Sequence, residues 1–214
     1  MHLTFDGQNF PSICDELTKK DKHLYSIVKR FGYPPIWTRK ANFQTLIHII
    51  LEQQVSLASA KAALNQLKKR IGTITPSKLL ALSDEELKAC YFSRQKTVYA
   101  RCLGNAITSR EIILKDFGAL DDAQIRQQLK AIRGIGDWTI DVYLLFALHR
   151  TDIFPIGDLA MVKALKEVKQ LPKTTIAQEL LKLAEKWRPH RSVATMLLWH
   201  YYLQKKRIKV NESS

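Results

Sequence analysis

Cysteine is scarce in this chain. There are three, Cys14, Cys90 and Cys102, odd in number and far apart, so neither a disulfide framework nor the close spacing of a zinc or iron–sulfur site is available. The six histidines, His2, His23, His48, His149, His190 and His200, are equally scattered and form no close-spaced metal motif. No apolar run approaches the roughly 20 residues that a membrane-spanning helix needs. Residues 1 to 6 lack the basic-then-apolar layout of a signal peptide, and a soluble intracellular protein is expected. Acidic residues are also in short supply, 20 against 34 lysines and arginines, for a net charge of +14. A surface that basic attracts polyanions and speeds association with them. Charge selects a partner class, nucleic acid, without choosing between DNA and RNA. Internal repeats are absent, and the only biased segment is the basic tail from Lys205 to Ser214, expected to be a solvated end.

Strand patterns are missing too. With 214 residues and a hydrophobic share of 46%, one large domain or two small lobes can bury a core, and almost every segment has helical period and punctuation. Ile13, Leu17, Leu24, Ile27, Val28 and Phe31 form an apolar face over residues 12 to 31, stopped by Gly32. Asn42 caps a helix from Phe43 to Gln53, and Ser56 caps one from Leu57 to Ile71. Pro76 to Leu82 and Asp84 to Tyr91 read as short helices. Ser93 opens a long helix to about Asp116, and Asp121 opens another. Thr174 or Thr175 opens a segment to Trp187, and Ser192 opens the last. The fold class is all-α.

The segment from Leu129 to Leu165 carries the chemistry. An apolar helix with Ile125, Leu129 and Ile132 ends at Gly134-Ile135-Gly136, and a second, with Trp138, Val142, Leu145 and Phe146, starts at once. This is a helix–hairpin–helix pattern. The glycines let the backbone turn tightly and come close to a partner, Ile135 plugs the turn into the core, and the second helix presents unpaired N–H groups suited to a phosphate. Further on, Pro155-Ile156-Gly157 breaks the chain and Asp158 opens the helical run Leu159 to Leu165. Asp158 is then either a helix cap or a carboxylate used in chemistry. Asp137 and Asp141, within the second hairpin helix, are the competing carboxylates and are assigned to the helix.

Together these pieces resemble the HhH-GPD superfamily of DNA repair glycosylases. Ile49-Ile50-Leu51-Glu52-Gln53-Gln54-Val55-Ser56, Phe92-Ser93-Arg94-Gln95-Lys96 and Trp187-Arg188-Pro189-His190-Arg191-Ser192, followed by Trp199, are similar to segments of its alkylpurine branch, typified by 3-methyladenine DNA glycosylase II. The resemblance implies two helical lobes, residues 40 to 150 with the hairpin and residues 1 to 39 plus 151 to 214 with Asp158, and an active site in the inter-lobe cleft. It implies double-stranded DNA with a damaged base as partner, a monomer, base flipping, no cofactor and no catalytic metal, with Asp158 as the catalytic carboxylate. Trp138 and Trp199 would line the base pocket, Gln54 with Gln53 would supply the wedge that fills the gap in the duplex, and Gly134, Ile135, Gly136, Arg94, Lys96 and Lys163 would contact phosphates, with Arg133 a further candidate. A monovalent cation at the backbone carbonyls of Lys130, Arg133 and Ile135 is implied as well. Members that also cut the backbone carry a lysine at the position of Trp138; an indole there implies a monofunctional enzyme that leaves an abasic site. The endonuclease III branch has a four-cysteine cluster that this sequence lacks. Three other readings remain: a glycosylase for a different damaged purine, a non-catalytic binder of DNA structure, and a basic helical RNA-binding protein.

Overall fold

The computed structural model describes residues 3–207, and all its regular elements among these are helical. They are α1 (Phe10–Lys20), α2 (Lys22–Phe31), α3 (Phe43–Glu52), α4 (Leu57–Ile71), α5 (Pro76–Leu80), α6 (Asp84–Ala89), α7 (Arg94–Thr108), α8 (Asp122–Lys130), α9 (Asp137–Phe146), α10 (Leu159–Val168), α11 (Ala177–Ala184) and α12 (Arg191–Lys206). Short 3-10 turns occupy Leu114–Gly118 and Glu185–Trp187. Among the described residues β structure is limited to one isolated bridge between Thr4 and Arg150, and the all-α expectation holds. No described helix is long and apolar enough to cross a membrane. The basic tail from residue 208 onward lies outside the described residues.

Local chemistry explains where the helices begin. The side chains of Asn42, Ser56, Ser93 and Asp121 each accept a hydrogen bond from the backbone N–H three residues on, satisfying a donor the helix itself leaves open. Asp121 and Gln124 complete a capping box.

Three boundaries differ from expectation. The helix opened by Ser93 ends at Thr108 instead of near Asp116, because the chain turns through Arg110 at φ 64° and re-forms only as a 3-10 turn. The residue before α11 is Ile176, with no side-chain cap. Ser192 does not cap α12; His190 precedes the helix, and Ser192 is buried inside its first turn.

Packing divides the chain into two units, Lys40–Tyr143 and Met1–Arg39 together with Leu144–Ser214, the division falling within α9. Each is built on one helix that is buried on all sides, which marks a core helix. In the contiguous unit it is α3, where Phe43 and every residue from Thr45 to Glu52 are buried. Helices α4 and α7 pack on α3, and α5 and α6 pack on α7. In the other unit it is α12, buried without a break from Ser192 to His200, with α1, α2 and α10 packed on it.

That second unit has a polar tie. Asp21 closes α1 and caps α2 through the His23 N–H at 2.9 Å. Its fully buried carboxylate also receives Lys169 Nζ at 2.6 and 2.8 Å, Lys186 Nζ at 2.9 Å and the Trp187 indole N–H at 2.9 Å. Burial works against the charge, yet these donors outweigh it and hold the carboxyl well below the usual carboxylate range.

Candidate active site

The hairpin joins α8 to α9 in the contiguous unit. Its two glycines do different work. Gly134 has φ +92°, and a Cβ there would stand 2.0 Å from the ring of Tyr99, so the turn itself requires glycine. Gly136 is exposed, its φ is not positive, and nothing lies within 4 Å of where a Cβ would be. The fold does not require glycine at 136; a missing side chain there matters only to something approaching from outside. Between them Ile135 is 4% exposed and plugs the turn into the core. The first amides of α9 follow directly, the geometry that favours a bound phosphate.

The competing carboxylates of α9 are engaged within the hairpin. Asp137 pairs with Lys130 at 2.8 Å, and the buried Asp141 pairs with Arg126. As for the implied monovalent cation, the carbonyls of Leu129, Ile132 and Gly134 accept hydrogen bonds from Ile132 N–H, Ile135 N–H and the Gln53 amide, and the carbonyls that the resemblance assigns to the ion, those of Lys130, Arg133 and Ile135, are neutral hard oxygen donors. That donor set fits a monovalent cation.

The turn between α3 and α4 leans on the hairpin. Gln53 Nε2 donates to Gly134 O at 2.9 Å and to Thr139 Oγ1 at 3.0 Å. This corrects the expectation that Gln53 helps to form the wedge: its amide is turned inward and ties the turn to the hairpin. Gln54, next to it, is exposed with φ 57°, a left-handed conformation uncommon for a side-chain-bearing residue. Val55 and Leu57 beside it are exposed as well.

Lys96, expected at a phosphate, also reaches inward. Its Nζ donates to Leu51 O at 2.6 Å, where α3 ends, and burial lowers its pKa. One of the three donors of this half-buried amine is thus given to its own unit. Arg94 and Arg133 are exposed.

In the other unit, the loop before α10 is clamped from behind. Ser192 Oγ accepts from Ile153 N–H at 2.9 Å and donates to Arg150 O at 2.5 Å, and the Ser192 N–H reaches Thr151 O at 2.9 Å. Arg191 holds Asp152 through Nε at 2.7 Å and a terminal nitrogen at 3.0 Å, and Arg188 adds 2.8 Å to the same carboxylate. From this anchored segment the chain runs through Phe154-Pro155-Ile156-Gly157 to Asp158. Asp158 Oδ1 accepts from the Met161 N–H at 2.8 Å, capping α10, and from the Trp199 indole N–H at 3.0 Å. Two N–H donors converging on one oxygen fix the plane of the carboxylate.

A family model for HhH-GPD superfamily base excision DNA repair proteins matches residues 47–189, more than half of the chain. The chain belongs to this superfamily. DNA-3-methyladenine glycosylase 1 of Schizosaccharomyces pombe is 29% identical over 211 residues, 92% of each chain. DNA-3-methyladenine glycosylase 2 of Escherichia coli is 27% identical over 169 residues, 74% of this chain and 57% of the relative. A solved structure of the S. pombe 3-methyladenine DNA glycosylase in complex with abasic DNA matches with a TM-score of 0.82 at 25% identity, covering 94% of this chain and all of that one. These relatives put the chain in the 3-methyladenine glycosylase branch of the HhH-GPD superfamily.

The superfamily motifs therefore divide by what they touch. Gly136 and Gln54 face outward, as do Arg94 and Lys163, while Trp138, the second residue of α9, is half-buried. The Trp-Arg-Pro-x-Arg segment is bonded within its own unit: Trp187 is fully buried against Asp21, while the exposed Arg188 and the half-buried Arg191 hold Asp152. Trp199, expected in the pocket wall, is bonded directly to Asp158. It is 8% exposed, stacked on Phe146 with centroids 5.1 Å apart and planes 18° apart, and its polar edge is given to Asp158. Sequence reasoning passed over Phe146 as core, and did not single out Asp152 or Asp21. Only the position of Asp21, just before a new helical run, could have flagged it, as a cap.

Proposed function

We propose that this HhH-GPD protein is a monofunctional DNA glycosylase that takes alkylated purines of the 3-methyladenine, 7-methylguanine and ethenoadenine type out of duplex DNA and hydrolyses the bond from base to sugar with Asp158. The observation that carries this reading is the fixed carboxylate of Asp158 at the start of α10, with Met161 N–H and Trp199 Nε1 both on Oδ1. A base must leave the stack before its glycosidic bond can be reached. The C1′–N bond then breaks with its electron pair leaving on the base. A purine alkylated at N3 or N7 carries a positive charge that the departing pair neutralises, so little acid assistance is needed. The positive charge developing on the sugar is what Asp158 stabilises. Water forms the new C1′–O bond, and its proton passes to the carboxylate and on to solvent, leaving an abasic site.

The remaining roles follow from exposure and chemistry. The α9 N-terminus beside Gly136 receives a backbone phosphate, assisted by Arg94, Arg133 and Lys163. Gln54 enters the space vacated by the flipped nucleotide, Gln53 holding its turn against the hairpin. Trp138 stacks on the cationic base, an attraction of about 1 to 2 kcal/mol when desolvated. Because an indole stands at this position, no amine is offered there for a Schiff base with the sugar.

The test is base release from duplexes carrying a single 7-methylguanine, 3-methyladenine or ethenoadenine, with the wild type and Asp158→Asn side by side and with and without alkali. Strand breakage only after alkali, and only with the wild type, is the expected result. Wild-type binding without release from any of these lesions would instead identify a non-catalytic binder of DNA structure.

A further inference from the structure

We infer that Phe146, with Arg39 laid against it, is a positioning residue for Asp158, acting through Trp199; the inference rests on the assignment of Asp158 as the catalytic carboxylate. Four groups of one unit form a continuous series. The Arg39 guanidinium carbon lies 5.5 Å from the centroid of the Phe146 ring, and the Arg39 N–H donates to Phe146 O at 2.9 Å. The Phe146 ring stacks on Trp199, and Trp199 Nε1 donates to Asp158 Oδ1 at 3.0 Å.

An indole has one N–H and one direction in which to give it. Where that N–H points is set by the plane of the ring and its rotation within that plane. Burial of Trp199 in α12 confines the ring, and the stack on Phe146 fixes the plane. Aromatic pairs favour an offset stack over a face-to-face sandwich, so the contact also has a preferred lateral placement. The Arg39 cation over Phe146 adds an attraction that holds this ring, and the backbone hydrogen bond ties Arg39 to the same residue, the last of α9. Phe146 thereby sets the donor that orients the carboxylate, without touching substrate.

The substitutions that separate this from ordinary packing are Phe146→Leu, which keeps apolar bulk but removes the ring face, Phe146→Tyr, which keeps the ring, and Trp199→Phe, which keeps an aromatic and removes the N–H. Single-turnover base release and affinity for the damaged duplex are measured for each, alone and combined, beside Asp158→Asn. Phe146→Leu is expected to slow release roughly 10- to 100-fold, the scale on which misplacing a catalytic group acts, with duplex affinity unchanged and Phe146→Tyr close to wild type. In the Trp199→Phe background Phe146→Leu is expected to cost nothing further. Costs that multiply, or a loss shared by Phe146→Tyr, would overturn the inference in favour of a packing role.

A second readout needs no turnover. The Trp199 indole N–H resonance, assigned by its loss in Trp199→Phe, is expected to move in Asp158→Asn and to move in the same direction in Phe146→Leu. If it stays in place in Phe146→Leu, the ring does not set the donor and the inference fails. If it moves while Asp158→Asn still releases base, the positioning stands and the catalytic reading of Asp158 is what fails.

Discussion

Replacing Asp21 by asparagine tests whether the polar tie in the unit built on α12 is electrostatic in substance. Asparagine is as good a helix cap as aspartate, and its amide oxygen can still accept from His23 N–H, but the Trp187 indole N–H bonds the other carboxylate oxygen and would face the amide NH2, so the substitution removes the charge together with that one hydrogen bond. Two lysines lose an anionic partner. Lys186 is 44% exposed at its side chain, and solvent makes its loss small. Lys169 is 8% exposed and is left as a buried cation facing a neutral amide. Breaking a buried pair from one side costs about 3 to 5 kcal/mol. Burial already lowers the Lys169 pKa against the opposing pull of Asp21, and a lysine without that pull can shed its proton, which caps the loss. The expected destabilisation is about 3 kcal/mol, or roughly 6 to 12 °C in melting temperature for a chain of this size.

The pH dependence has a definite sign. Because the folded-state pKa of Asp21 is depressed, the stability it contributes is complete above the unfolded carboxylate value near 4 and is lost as pH falls below it toward the folded value. Urea unfolding of wild type and Asp21→Asn at about pH 7 and about pH 3 should therefore give a wide gap at the first and a narrower one at the second. A gap below about 1 kcal/mol at neutral pH, or one that does not change with pH, would refute the argument.

The two hairpin glycines should separate cleanly. Gly134→Ala places a Cβ into the Tyr99 ring at a left-handed φ and should cost well over 1 kcal/mol of stability, read by denaturant unfolding. Gly136→Ala should leave stability within about 0.5 kcal/mol and weaken duplex binding by about tenfold or more through the loss of a charge-assisted hydrogen bond, read by fluorescence anisotropy. Gln53→Ala, which strands Gly134 O and Thr139 Oγ1, should lower stability by about 1 to 3 kcal/mol and destroy the distinction between a wedge residue and its support if it does not. Trp138→Leu should narrow the preference for a cationic over a neutral lesion by about tenfold, measured as the ratio of single-turnover rates on 7-methylguanine and hypoxanthine duplexes.

Helix starts and the hairpin were legible because their causes are local. A cap needs a side chain and an amide three residues away, as at Asn42, Ser56, Ser93, Asp121 and Asp158, and all lie within one turn of sequence. Ser192 misled for the same reason read backwards: serine before an apolar run suggests a cap, but its hydroxyl is spent on Arg150 and Ile153, some forty residues earlier. Gln53, at a turn, and Lys96, in the first turn of α7, were both assigned to DNA, and each has a partner that sequence did not reveal, Gly134 and Leu51, 81 and 45 residues away. Long-range partners leave no periodic trace, so sequence patterns place a polar group on an element without saying what it bonds. Asp21 and Asp152 were not singled out for the same reason, and Phe146 was read only as one more apolar residue of a helix.

Where a motif residue finds its partner predicts which step a substitution will damage. Gly136, Gln54 and Arg94 are exposed in one unit, and under the proposed function changes there are expected to act on how tightly and in what register a duplex is held. Ser192, Arg191 and Trp199 are bonded within the other unit, to the loop that leads to Asp158 or to Asp158 itself, and changes there are expected to act on the orientation of one carboxylate. The consequence differs in kind. Loss of a phosphate contact weakens binding on every sequence and flattens its salt dependence, whereas loss of Trp199 Nε1 leaves the bound complex intact and slow. Binding affinity and single-turnover rate measured on the same variants therefore sort the motif residues into the two groups without reference to any relative, and a variant of Ser192 or Arg191 that weakened binding while sparing the rate would break the division.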